Sequence, residues 1–124
     1  MATILILDDS PTIIMSISQI LTIAGYEVAT AANGKEGVEQ IQNGLKPTVI
    51  LTDLNMPEMD GIAFIKEARK AAATKFTPII VLSGDSDGRK RDDARSAGAS
   101  GWLTKPPQAN QLLYVVKQLL PVAL

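Results

Sequence analysis

Thr48-Val49-Ile50-Leu51 is β-branched or aliphatic throughout, leads through Thr52 to Asp53, and then turns at Asn55-Met56-Pro57. A short run of this kind, without period-2 alternation, predicts a strand covered on both faces, as in a parallel sheet between helix layers. Thr3 to Leu7, Pro78 to Leu82 and Gly101 to Leu103 read the same way. Glu27 to Ala31 alternates more and suits an edge strand. Five short strands are therefore expected.

The stretches between them carry helical periodicity. Ser10-Pro11 offers a cap residue followed by proline at the first helical position. Ile13, Ile17, Ile20, Leu21 and Ala24 then share a face, and Gly25 stands where a left-handed C-cap belongs. Gly34, Gly37, Val38 and Ile41 make a thinner stripe ending before Gly44. Ile62, Ile65, Ala68 and Ala72 make a third, and Ser86 to Ala97 a helix-length segment poor in large apolar residues. Leu112, Val115, Val116 and Leu119 form the last, stopped by Pro121. Strand and helix alternate five times. The expected fold is α/β, one domain over residues 1–124, with a parallel sheet, right-handed crossovers and helices on both faces.

Composition removes whole classes of chemistry. The 124 residues contain no cysteine and no histidine, which excludes disulfides, thiolate or histidine metal sites and histidine acid–base catalysis. Twelve basic against thirteen acidic residues leave a formal charge of −1, so no net field draws the chain to nucleic acid or anionic lipid. No segment approaches the roughly 20 apolar residues of a membrane span, and Met1-Ala2-Thr3-Ile4 does not resemble a signal peptide. A cytoplasmic protein working with carboxylates, hydroxyls, amides and lysines is expected.

In an open parallel sheet, ligands bind beyond the carboxyl ends of the strands. Asp8 and Asp9 follow the first strand, Asp53 the third, Ser83-Gly84 the fourth and Thr104-Lys105-Pro106 the fifth. Each alone has a bland reading: Asp9 or Ser10 as a helix cap, Lys105 as a solvated lysine. Together, four strand ends deliver three carboxylates, a hydroxyl and an ammonium to one rim. Crowded carboxylates repel, and a hard divalent cation relieves them; an all-oxygen set favours Mg²⁺ or Mn²⁺ over zinc. Such a set suits phosphoryl transfer, with Asp53 as nucleophile, Lys105 as a point charge and Ser83 as a hydrogen-bond donor.

With Asp60-Gly61 added, these residues resemble the signature of the response-regulator receiver domain, over essentially the whole chain. The segment Ala97-Gly98-Ala99-Ser100-Gly101-Trp102 and the lack of an output domain are most similar to the stand-alone chemotaxis regulators of that family. The resemblance implies a flavodoxin-like fold, five strands in the order 2-1-3-4-5 flanked by five helices. It implies that Asp53 accepts a phosphoryl group from a histidine kinase and that the chain, otherwise no enzyme, catalyses only its own phosphorylation and dephosphorylation. Asp9, Asp53 and the Asn55 carbonyl would ligate Mg²⁺, with Asp8 acting through water. Ser83 and Lys105 would contact the phosphoryl oxygens, Lys105-Pro106 would be cis, and Asn55 with Asp85 would tune dephosphorylation. Trp102 stands at the switch position usually held by Tyr or Phe, Ser83 where Thr is commoner, and Pro107 where Phe is commoner.

The segment Gly88-Arg89-Lys90-Arg91-Asp92-Asp93-Ala94-Arg95 has little beyond Ala94 and Ala97 to bury, which by itself reads equally as an ordinary solvated helix or a weakly held one; with Ser83 at one end and Trp102 nearby, a mobile fourth helix is expected. Ser83 and Trp102 would couple phosphorylation to it, and the face of the fourth helix, fifth strand and fifth helix would bind a downstream protein. A phosphorelay shuttle is the alternative within this class. A small acid-nucleophile phosphatase is the rival outside it, and is disfavoured because Asn55 replaces the second acid that such enzymes need two residues on.

Overall fold

A computed structural model describes residues 2–84 and 88–120. Five strands, β1 (Thr3–Leu7), β2 (Glu27–Ala31), β3 (Val49–Asp53), β4 (Ile79–Ser83) and β5 (Gly101–Thr104), form one parallel sheet in the order β2-β1-β3-β4-β5. Five helices alternate with them: α1 (Pro11–Ile23), α2 (Gly34–Gln42), α3 (Gly61–Lys70), α4 (Gly88–Ala97) and α5 (Ala109–Leu119).

The two sides of each strand meet different helices. Ile4, Ile6, Val49, Leu51, Ile80 and Leu82 point to one layer, where Ile17 and Leu21 of α1 and Leu112 and Val116 of α5 complete the core. Leu5, Leu7, Ile50, Ile79 and Val81 point to the other, against Ile41, Phe64, Ile65, Ala68 and Ala94 of α2, α3 and α4. This is why the central strands read as unbroken apolar runs: both alternating sets are buried, at about 1.5–3 kcal/mol for each large side chain. β2 lies at the edge, and only Ala31 in it is buried.

Local signals account for several helix ends. Ser10 caps α1 by accepting the Ile13 N–H, Asn33 caps α2 through Glu36 N–H, and Asp60 caps α3 through Ala63 N–H. Gly25 and Gly44 take the positive φ of +100° and +108° that ends α1 and α2.

The structure corrects the reading at five places. β3 continues to Asp53 and β4 starts at Ile79 and continues to Ser83, so both chemical side chains belong to strand ends rather than to the loops beyond. β5 likewise extends to Thr104. Ala24 is exposed at the C-cap of α1, off its buried stripe. On α3 the buried stripe is Gly61, Phe64, Ile65 and Ala68, and Ala72 lies exposed beyond the helix end. The alanines after Lys70 favour continued helix, yet Thr74 Oγ1 donates to the Ala68 carbonyl and ends the ladder there. Ser86 and Pro121, expected at a helix start and stop, lie outside the described residues.

Candidate functional site

The carboxyl ends of β1, β3, β4 and β5 converge on an acidic pocket. Asp53 closes β3 and Asp8 follows β1, both buried, while Asp9 beside it is exposed. Carboxylate oxygens of Asp8, Asp9 and Asp53 all lie within 4.8 Å of one another. Sheet register produces this gathering: Leu7 pairs with Thr52 and Asp53 with Leu82, so the chains leave the sheet side by side.

Lys105 enters from the end of β5. Its Nζ donates to Asp8 Oδ2 at 2.8 Å and pairs with Asp53 Oδ2 at 3.3 Å. Burial alone would lower the Lys105 pKa, but the hydrogen bond to Asp8 and the charges of Asp53 and Asp8 raise it overall, so the ammonium is held charged. The Lys105-Pro106 peptide is cis, and the Lys105 N–H donates to the Ser83 carbonyl at 3.0 Å. Ser83 itself is buried at the end of β4.

Asp53 is pushed the opposite way from a usual salt-bridged acid. Desolvation raises its pKa, Lys105 opposes that, and the Asp8 charge adds to it; the net direction is upward. Its Oδ1 accepts the Leu54 N–H at 2.8 Å, which leaves Oδ2 on the Lys105 side. Asp8 Oδ1 accepts the Ser10 N–H at 2.9 Å, so this acid is fixed by the turn that opens α1. The α1 side-chain cap is therefore Ser10, and Asp9 is left for other work.

The loop after β3 is held in shape by contacts distant in sequence. Glu58 has φ +69°, uncommon for a residue with a side chain. Gly61 N–H donates to the Leu54 carbonyl and Gly34 N–H to the Met59 carbonyl, at 2.8 and 3.0 Å. A Cβ on Gly61 would collide with the Asp53 carbonyl oxygen, so only glycine lets α3 start against the end of β3. Asn55 is exposed in this loop. Gly34 carried no sequence signal for this role, because Met59 becomes its neighbour only through the fold. Asp85, expected to tune dephosphorylation, lies outside the described residues.

The donor set fits magnesium. Two oxygens on one Mg²⁺ lie at most about 4.2 Å apart, from a metal–oxygen distance of about 2.1 Å. Three carboxylates within 4.8 Å need only small side-chain movements to meet that, and among the described residues the ammonium paired with them is that of Lys105, on Asp8 and Asp53.

Trp102 lies at the middle of β5, half-buried against the α2–α3–α4 core, with the Arg91 guanidinium 5.2 Å from its ring centroid. Beside it a cleft of about 380 Å³ opens between α4 and β5, lined by Arg91, Ala94, Arg95, Ser100 and Trp102.

Residues 4–117 match the response regulator receiver domain, and the chain belongs to that family. It is 38% identical to the chemotaxis protein CheY of Thermotoga maritima, covering 94% of this chain and 95% of that protein. The structure of chemotaxis protein CheY4 of Vibrio cholerae superposes with a TM-score of 0.92 at 40% identity, covering 97% of this chain and 99% of the other. A protein-glutamate methylesterase/protein-glutamine glutaminase of Archaeoglobus fulgidus is 41% identical over 86% of this chain, which spans only 30% of that enzyme. This is a receiver domain of two-component signalling with chemotaxis relatives. Receiver domains bind Mg²⁺ at an acidic pocket and interact with histidine kinases and downstream targets. Among the described residues no helix is long and apolar enough to cross a membrane.

Proposed function

We propose that this chain is a phosphorylation-driven switch in a cytoplasmic chemotaxis pathway, taking a phosphoryl group from a histidine kinase onto Asp53. The observation that carries the reading is Asp53 itself: buried at the end of β3, clustered with Asp8 and Asp9, and 3.3 Å from the Lys105 ammonium. Burial makes its ionised form costly and therefore reactive once the surrounding charge is balanced. Asp9, Asp53 and the Asn55 carbonyl, with Asp8 through water, would hold Mg²⁺ or Mn²⁺, which supplies charge neutralisation for phosphoryl oxygens.

The protein's own groups divide the remaining work. Asp53 Oδ1 is tied to Leu54 N–H, so Oδ2 forms the new P–O bond. The donor's P–N bond breaks, and the kinase imidazole leaves with the electron pair. Lys105, already turned toward Oδ2, offsets charge on the incoming group, and the Ser83 hydroxyl donates to one of its oxygens. The chain acts on no separate substrate; Asn55 and Asp85 orient the water that later removes the phosphoryl group.

Output runs through Ser83 and Trp102 to the face formed by α4, β5 and α5. Arg91 and Arg95 line the cleft there, which suits a protein partner presenting carboxylates rather than nucleic acid or membrane. The test is incubation with acetyl phosphate and Mg²⁺, followed by peptide mass spectrometry. One phosphoryl group on Asp53, absent with chelator, is expected. A modification elsewhere, or one indifferent to chelator, would overturn the assignment. Capture with the beryllofluoride-bound and free forms then identifies the partner.

A further inference from the structure

Side-chain burial along α4 is uneven. Residues 88–93 include no buried side chain, and Ala94 is the single buried residue of the helix. The C-terminal end is different. Gly98 N–H donates to the Ala94 and Arg95 carbonyls, Ala99 N–H to Ala94, and Ser100 N–H to the Ile79 carbonyl of β4 at 2.7 Å. Ser100 Oγ accepts the Ile79 N–H in return.

Arg69 of α3 joins this end from the neighbouring helix. Its Nε and Nη2 both donate to the Gly98 carbonyl, at 3.1 and 2.8 Å. Its Nη1 donates to the carbonyls of Thr74, Lys75 and Thr77, at 2.9, 3.3 and 2.6 Å. Among the described residues no carboxylate pairs with it. A half-buried guanidinium is thus spent entirely on backbone oxygens from two separate segments, the turn after α3 and the turn after α4. The fit is close: Gly98 has φ +121°, and a Cβ there would come within 2.8 Å of Arg69 Cγ. Only a planar fork with donors on three nitrogens can satisfy both turns at once, so lysine is no equivalent.

We infer that Arg69 is a positioning residue for the switch: it pins the C-terminal end of α4 to α3 and makes Gly98 a fixed pivot. Displacement on phosphorylation is then a swing of the N-terminal half of α4 about residue 98, not a shift of the whole helix. The second half of this statement rests on the proposed phosphorylation of Asp53; the pinning itself does not.

Amide hydrogen exchange on the full chain, with and without Mg²⁺ and beryllofluoride, tests both halves. In the unliganded wild type the amides of residues 98–100 are expected to exchange at least ~10-fold more slowly than those of 91–93. Beryllofluoride should alter 91–93 and leave 98–100 unchanged. In Arg69→Lys and Arg69→Gln the 98–100 protection should fall to the level of 91–93, with β1 and β3 as protected as before. Beryllofluoride should then alter the whole helix and change the amplitude of the Trp102 emission response, while Mg²⁺ affinity stays at the wild-type value. Equal exchange along α4 in the wild type, or unchanged 98–100 protection in Arg69→Lys, overturns the pinning. Loss of protection in the variants with no beryllofluoride response in the wild type keeps the pinning and overturns the phosphorylation reading.

Discussion

The acidic pocket lies at the carboxyl edge of the sheet, α4 runs from that edge back along one face, and the two are built on opposite terms. In the pocket, Asp53 and Ser83 are terminal residues of fully buried strands, so the backbone beneath them is fixed on both sides by ladder hydrogen bonds. α4 has one fully buried side chain, Ala94, and its C-terminal turn is bonded to Arg69 of α3 and to β4. The difference teaches where each job can be done. Chemistry needs groups held to within fractions of an ångström, and the central sheet supplies that. A response needs two packings close in free energy, which thin apolar contact permits.

The sharpest way to break this comparison is Asp53→Asn, which should abolish phosphate incorporation and the Trp102 response to beryllofluoride, as read by mass spectrometry and fluorescence. Retained incorporation would mean that the pocket is not the reactive centre. Next is Gly61→Ala, where the added methyl meets the Asp53 carbonyl. It should cost about 2–4 kcal/mol in denaturant unfolding, because the contact is with backbone and cannot be relieved by a rotamer change. A cost under half of that would show the end of β3 to be less rigid than argued.

Lys105→Met should slow phosphorylation by acetyl phosphate about 100-fold, the usual loss on removing one donor aimed at developing charge. It leaves Asp8 and Asp53 without their counter-charge, so added Mg²⁺ should stabilise the variant more than the wild type in a thermal melt. Smaller again is the gap within the native state. Amides of residues 91–93 should exchange well before those of β3 at neutral pH, and equal protection would remove the contrast between the two regions.

The smallest effect is on pH. Asp53 has a raised pKa in the folded protein, so the folded state holds its proton more readily than the unfolded chain. Its contribution is fully present below the ordinary carboxylate pKa and is lost as pH rises through the raised value. Metal-free Asp53→Asn should therefore gain on the wild type as pH rises through the raised value, read by denaturant unfolding across that range. Lys105, also raised, contributes at neutral pH and loses its contribution only in alkali as its folded pKa is passed. An advantage for Asp53→Asn that is flat with pH would count against the burial argument.

Much of the pocket could be read from the chain because each of its side chains stands next to an apolar run. Once Thr3–Leu7, Val49–Asp53, Ile79–Ser83 and Gly101–Thr104 are strands of one parallel sheet, their last residues must share a rim. The phase of α3 was less legible. Ile62 and Ile65 suggest one stripe, yet Phe64 is fully buried with Ile65 and Ala68, and Ile62 only flanks that cluster. Periodicity fixes a helix but leaves its rotation open by one residue when apolar side chains are adjacent.

What the amino-acid order determined by itself was local: which stretches are strands, where Ser10 starts the first helix, and which polar residues end each strand. The tertiary structure alone decided where α3 stops, why Gly34 and Gly61 have no side chain, and what Arg69 does. Those outcomes turn on backbone carbonyls and packing distances between residues far apart in the chain. Such contacts have no signature in sequence, because every residue carries a carbonyl, and only the folded arrangement determines which of them a hydroxyl or guanidinium will reach.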